Sequence, residues 1–424
     1  MSEEILLRGA RVFDPGQELD EVADVLVADG IIRRVGGSIA ADGAIVIDLK
    51  GAHLFPGFVD MHVHLRQPGQ DAKETLATAL GAARGGGFTA IGAMANTKPP
   101  IDSAAAARAI EEAAAGLSPI RVHQFGSVTL GLQGEALAPF EAYAGAGILA
   151  VSDDGAPVAH AGVMARALAH ARAAGLLVIE HAEDPELAGD GVASLSESAL
   201  RLGLPTQDPL SEAVMVARDV LLAGRSGARI HIAHASTADT CDVVAFGKAR
   251  GVAVSAEVTP HHLLLTDAAI DRGTNAKMNP PLRSEADRRA MVAALEAGLV
   301  DAVATDHAPH TADEKDSGWL AAPFGVSGLE TAFSVLYTDL VRPGDLSLGR
   351  LVTALSSAPA AILGIERRSV APGMAANLTA VDLAAAWTVD VRALATKGRN
   401  TPFAGRQVAG RVVGIMAGGK WVAA

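Results

Sequence analysis

Residues 57–69 read GFVDMHVHLRQPG, and they follow the apolar stretch His53–Pro56, HLFP. His62 and His64 lie two apart, with Arg66 in step behind them. In a β-strand, residues i and i+2 project from the same face. A strand here would therefore aim two imidazoles and a guanidinium at one place. Two histidines at a strand end can be ordinary hydrogen-bonding groups, or they can be half of a metal site. The rest of the chain has to separate those readings.

Seven further runs share this design: FTAIGAMANT (88–97), RVHQFGSV (121–128), GILAVSDDG (147–155), LLVIEHAED (176–184), ARIHIAHAS (228–236), VAVSAEVTPHH (252–262) and DAVATDHAPH (301–310). Between them lie stretches with helical spacing, such as KETLATALGAARGGG (73–87), HAGVMARALAHARAAG (160–175) and LSEAVMVARDVLLAG (210–224). Strands alternating with helices imply parallel βα units, and eight of them predict a closed (β/α)8 barrel over residues 55–369. Most runs are apolar in front and polar behind. His62 and His64 close the first, Asn96 the second, Asp153 and Asp154 the fourth, His181 the fifth, His234 the sixth, and Asp306 with His310 the eighth. In such a barrel all C-terminal strand ends open onto one mouth, whereas an open doubly wound sheet brings only a few together. Residues 1–54 and 370–424 have strand character instead, as in ILLRGARVFD and RQVAGRVVGIMAGGKWVA. They predict a small β-sandwich domain built from both chain termini.

Composition narrows the function classes. Half of the 424 residues are hydrophobic and 20% are charged, which suits a packed α/β protein and not a disordered one. The net charge of −13 argues against nucleic acid and anionic membranes as partners. Cys241 is the only cysteine, so an intrachain disulfide and a thiolate zinc cluster are both excluded, and a reducing, cytoplasmic setting is expected. The acidic start MSEEILLRGARVF lacks the pattern of a secretory signal, and no apolar run has the length of a membrane helix.

Imidazole and carboxylate suit Zn2+, and the lack of thiolate points to a catalytic site. The candidate ligands are His62, His64, Asp154, His181, His234 and Asp306. Six exceed one tetrahedral ion and would serve two metals about 3.5–4 Å apart with a shared carboxylate. Asp306 could alternatively be a helix cap, but its place at the eighth strand end favours metal binding and proton transfer. His231 would lie deeper in its strand, as a core residue or a support for the ligands. His261 and His262 remain unassigned.

Taken together, DMHVHLRQP (60–68) and ATDHAPHTADEK (304–315) resemble the two signature segments of the dihydroorotase family, in the amidohydrolase superfamily, and NTKPP (96–100) and KMNPPLR (277–283) are also similar to family segments. The resemblance spans nearly the whole chain and is closest to the long bacterial type. It implies reversible cyclisation of N-carbamoyl-L-aspartate to L-dihydroorotate in pyrimidine biosynthesis. It further implies that His62, His64, His181, His234 and Asp306 hold metal, with Asp306 as the proton carrier. Arg66, Asn96 and His310 would hold the substrate carboxylate. Asn279 and the backbone of Pro323, Phe324 and Gly325 would face the ring. Many superfamily members bridge their metals with a carboxylated lysine after the fourth strand. Here that stretch is AVSDDGAP, without lysine. Asp153 or Asp154 would substitute, the separation from His181 within the family favouring Asp154; two zinc ions are expected if Asp154 bridges, and one otherwise. A homodimer and a complex with aspartate transcarbamoylase are the expected assemblies. The rival readings are a dihydropyrimidinase or allantoinase, whose substrates lack the carboxylate, and a metal-free scaffolding subunit. Segment 311–323 is placed to form a flap over the mouth.

Overall fold

In the computed structural model, residues 4–424 are described, so the first three residues of the N-terminal β segment lie outside it. Strands β1 (Glu4–Asp14), β2 (Leu19–Ala28), β3 (Ile31–Gly36), β4 (Ile45–Asp48) and β5 (His53–Pro56) come first. The alternating region supplies β6 (Phe58–Val63), β7 (Phe88–Ala93), β8 (Arg121–Gln124), β9 (Ala150–Val151), β10 (Leu177–Glu180), the small pair β11 (Ala193–Ser194) and β12 (Thr206–Gln207), then β13 (Ile230–Ile232), β14 (Val254–Val258) and β15 (Ala302–Val303). Strands β16 (Leu378–Thr388), β17 (Gln407–Ala417) and β18 (Lys420–Ala423) end the chain. The chain is thus a mixed α/β protein. Apart from the small β11–β12 pair, each strand between β6 and β15 falls within one of the eight expected runs.

Both terminal segments meet in one eight-stranded sheet, in the order β18-β17-β16-β5-β1-β2-β3, with β4 also paired to β1. Strand β5 joins the two ends of the chain, pairing parallel with β1 and antiparallel with β16. Leu7, Val12, Val25, Val27, Ile32, Leu54, Leu378 and Met416 form a common buried cluster there. The alternating strands form two parallel sheets, β6-β7-β8 and β9-β10-β13-β14-β15. Single parallel bridges join the edges of these sheets, Gly126 to Val151 and Val63 to His307. Val59, Met61, Ala90, Phe125, Ala150, Leu177, Ile179, Ala233, Ala302 and Ala304 pack into one cluster with Ala360 and Leu363. The alanines among these strand residues leave room for larger neighbours to interdigitate.

Four of the longer helices start where Ser or Thr supplies the missing acceptor, whereas Ala161–Ala174 and Leu210–Ser226 start without a side-chain cap; several short helices are capped in the same way. Thr75 caps Leu76–Gly85, Ser103 caps Ala104–Ala115, Thr237 caps Ala238–Ala249 and Ser284 caps Glu285–Glu296. Gly57 marks where the two parts of the molecule touch. Its N–H donates to the Asn377 carbonyl at 2.8 Å, and a Cβ there would come within 2.5 Å of Thr89 Oγ1. Among the described residues, no helix is long and apolar enough to cross a membrane.

Candidate metal centre

The two histidines of the opening stretch do converge, by a route that simple alternation does not describe. The β6–β7 register shifts between Asp60 and Val63, so the strand is irregular beside His62, and His64 lies just past its end. The imidazole centroids are 5.4 Å apart. Their Nε2 atoms lie 3.5 Å (His62) and 2.9 Å (His64) from Asp306 Oδ1. Arg66 is not in step on a strand. Its backbone is left-handed, with φ 61°, and a turn brings its side chain to the eighth strand end. There its Nε donates to the Pro309 carbonyl at 3.2 Å, and Nη2 lies 3.2 Å from His310 Nε2.

Asp154 sits at the centre of the cluster. Its Oδ1 is 3.2 Å from His62 Nε2 and 3.5 Å from both His181 Nδ1 and His234 Nε2, while Oδ2 is 3.5 Å from His64 Nε2. Two groups with metal-holding geometry result: His62, His64 and Asp154, and Asp154, His181 and His234. They share one carboxylate. Asp153 is turned away into the wall, where it accepts from Val128 N at 2.7 Å, from Thr129 N at 3.1 Å and from the Thr129 hydroxyl. A polar cluster this deep should satisfy its hydrogen bonds. Yet His62 Nε2 and Asp154 Oδ1 have no hydrogen-bond partner among the described residues. A cation between such atoms would satisfy them, so the donor set fits a metal.

The electrostatics say the same. Burial opposes charge on His62, but Asp154 and Asp306 outweigh it and hold the imidazolium well above its usual range. His181 likewise overcomes burial through Asp154 and Glu183, and reaches about 10. Burial also works against the Asp306 carboxylate, and His62 and His64 keep it below the usual carboxylate range. Cation binding replaces the ring protons in such a set, because ligating imidazole must be neutral. His234 and Asp306 have left-handed backbones, with φ 32° and 46°. Such strain in non-glycine residues persists where surrounding structure enforces it, and it clusters at functional sites.

Supporting groups surround the cluster. Glu257, on β14, accepts from His62 Nδ1 at 2.7 Å and lies 3.1 Å from His231 Nε2, while His231 Nδ1 is 2.8 Å from Ser255 Oγ. The Glu257 contact leaves His62 Nε2 facing inward, as metal-ligating histidines require. Glu257 was legible only as a lone acid in an apolar run. Asn96 Oδ1 is 2.8 Å from His64 Nδ1, and its Nδ2 donates to the Asp154 carbonyl at 3.1 Å. Asn279 Nδ2 donates to Glu183 at 2.6 Å and lies 3.3 Å from His181 Nε2. His310 is pushed down to about 3 by burial, then by Arg66, Lys73 and Lys315. Lys73 Nζ lies 3.1 Å from His310 Nδ1 and the Phe324 carbonyl lies 2.8 Å from Nε2, so a neutral ring carries its proton on Nε2. Sequence patterning did not single out Lys73. The Pro323 and Gly325 carbonyls accept from the buried Lys315 ammonium at 3.0 and 3.2 Å, tying down segment 311–323. His261 is buried with Nε2 unsatisfied among the described residues, and His262 bonds Thr259 and the Pro280 carbonyl.

The chain is similar to known proteins in both sequence and fold. The family described as Dihydro-orotase-like matches residues 51–240. The chain is 46% identical to a dihydroorotase of Anaeromyxobacter dehalogenans, over 100% of this chain and 98% of that protein. It is 44% identical to a dihydroorotase of Pelotomaculum thermopropionicum, over 99% of this chain and 98% of that one. Among solved structures, the L-hydantoinase (dihydropyrimidinase) of Arthrobacter aurescens superposes with a TM-score of 0.87 at 25% identity, covering 100% of this chain and 96% of its own. The dihydropyrimidinase of Brevibacillus agri gives 0.86 at 24% identity, over 99% and 95%, and at that identity the likeness concerns the fold.

Proposed function

The chain belongs to the dihydroorotase family, and from that premise we propose that its strand-end cluster binds zinc and carries out the reversible cyclisation of N-carbamoyl-L-aspartate to L-dihydroorotate. It is a metal-dependent cyclic amidohydrolase of pyrimidine biosynthesis. The observation that carries the zinc reading is the shared position of Asp154 in both three-residue groups. An all His/Asp donor set suits zinc, and two groups meeting at one carboxylate favour two ions with Asp154 as the bridge. His62, His64 and Asp306 would hold one side, and His181 and His234 the other. When bound, the metal makes water nucleophilic near neutral pH and polarises the amide carbonyl.

The chain's own residues do the rest. Arg66 offers a planar fork for the substrate carboxylate. His310 lies beside it, kept neutral and held in place by its Nε2 bond to the Phe324 carbonyl, and Asn96 completes that end. Asn279 and the backbone at Pro323, Phe324 and Gly325 face the ring. Asp306, ionised, accepts the proton released as water attacks in the hydrolytic direction and passes it to the departing ring nitrogen. In the cyclising direction the same groups act in reverse order.

Several wider readings accompany this one. Residues 55–369 form a closed (β/α)8 barrel, supported by the bridges at both sheet edges. Residues 1–54 and 370–424 form a β-sandwich domain, supported by the burial of Leu6 and Leu7 on opposite faces of β1. A cytoplasmic homodimer that also binds aspartate transcarbamoylase is the proposed assembly; exposed Leu195, Leu200 and Leu202 offer apolar surface for contacts. Sizing the chain alone and mixed with that enzyme tests both associations.

The catalytic test is metal analysis of the purified chain with parallel assays on dihydroorotate, dihydrouracil and allantoin. Zinc and a strong preference for dihydroorotate are expected. Arg66→Gln should raise KM for dihydroorotate about 10–100-fold, the value of a charge-assisted hydrogen bond. Equal hydrolysis of dihydrouracil, or an unchanged KM in that variant, would overturn the carboxylate reading.

A further inference from the structure

We propose that Asn400, in the segment leading from β16 to β17, is a positioning residue that holds the carboxylate end of the site in register. The inference rests on the proposed carboxylate role of His310. Asn400 is 2% exposed, and every hydrogen-bonding position of its carboxamide is used. Its Nδ2 donates to the Ala308 carbonyl at 2.9 Å and to the Gly325 carbonyl at 3.0 Å. Its Oδ1 accepts from His310 N at 3.0 Å and from Ser327 Oγ at 2.9 Å. Its own carbonyl accepts from Ser327 N at 2.9 Å. One side chain thus grips both the stretch bearing His310 and the stretch bearing Phe324 and Gly325.

The surroundings leave little room for a substitute. Gly325 has φ 141°, and a Cβ there would lie 2.7 Å from the Ala308 carbonyl oxygen. The two stretches therefore press together without a side chain between them. A Cβ on Gly398 would meet Ser327 Oγ at 2.4 Å and Asn400 Oδ1 at 2.8 Å. The same segment reaches the loop after β6. The Thr396 hydroxyl and Lys397 N donate to Glu74, whose Oε2 lies 3.3 Å from His307 Nε2. Segment 396–400 therefore fixes the loops that carry Arg66 and His310 against each other. Both donors and both acceptors of Asn400 are needed. An aspartate of the same shape would face two carbonyl oxygens with no N–H to offer.

The test compares Asn400→Ala, Asn400→Asp and His310→Ala with the parent chain, each loaded with metal. Four quantities are read: kcat and KM for dihydroorotate, bound metal, thermal midpoint, and inhibition by orotate against uracil, which lacks the carboxylate. The Asn400 variants should raise KM on the order of tenfold, with kcat and bound metal nearly unchanged. Orotate inhibition should weaken in parallel while that by uracil stays. Asn400→Ser, which can keep one contact, gives the same comparison if the alanine variant does not fold. A lowered midpoint with unchanged KM would make Asn400 merely structural and overturn the proposal. If His310→Ala raises KM and the Asn400 variants do not, the proposal falls and the carboxylate reading stands. If none of them shifts KM, both fall.

Discussion

The strand-end cluster and the terminal eight-stranded sheet solve opposite problems. In the sheet, Leu7, Val12, Val25, Ile32 and Leu54 are wholly buried, and the left-handed non-glycine residues flanking its strands, Glu18 and Asp29, lie at turns. Burial of apolar surface holds that region together, at about 25 cal/mol per Å2. In the cluster, His62, Asp154, His181, His234 and Asp306 are buried together, two of them with left-handed backbones. Buried charges are costly unless paired, and here two ring nitrogens and a carboxylate oxygen lack partners among the described residues. One region is organised for stability, and the other tolerates strain for chemistry.

Three substitutions can break or sharpen that contrast. The largest effect is expected in the cluster. Asp306→Asn should lower kcat by about 10²–10⁴-fold, the usual worth of a positioned proton-transfer group. Its thermal midpoint should stay close to that of the parent. Near-normal turnover with metal retained would remove Asp306 from the proton path. Next comes the sheet, where Leu7→Ala should reverse the pattern. It should cost about 2–5 kcal/mol of stability and leave kcat/KM intact at temperatures where the chain stays folded. A matching loss of activity, measured below the melting transition, would mean that the two regions are not separable.

The smallest effect concerns His123, on β8 and outside both regions. Burial, then Arg121 and Arg368, push its imidazole down to about 4. Unfolded, with a value near 6.5, it binds a proton that the folded state refuses. Stability is therefore full above pH 6.5 and falls as the pH drops toward 4. His123→Gln should remove on the order of 1 kcal/mol of that acid-side loss. Identical melting curves for parent and variant between pH 6.5 and 4 would contradict it.

Much of this was legible from the chain alone. Apolar runs that finish in His or Asp are local patterns, and period and polarity suffice to mark His62, His181, His234 and Asp306 as strand-end residues. Convergence followed from parallel alternation, since strands of one direction end on one side. Other assignments had no local signal. Asp153 and Asp154 are adjacent and chemically identical, and only contacts with the Val128–Thr129 backbone and the Thr129 hydroxyl decide that Asp153 turns into the wall. Arg66 looked like the next residue on a strand face, and a left-handed turn delivers it instead. Glu257 and Asn400 gain their meaning from partners far away in sequence, His62 and His310. Side-chain type and spacing determine which groups can do the chemistry. Which of them meet is set by packing between segments, because a hydrogen bond needs its partner within about 3 Å and no sequence interval specifies that.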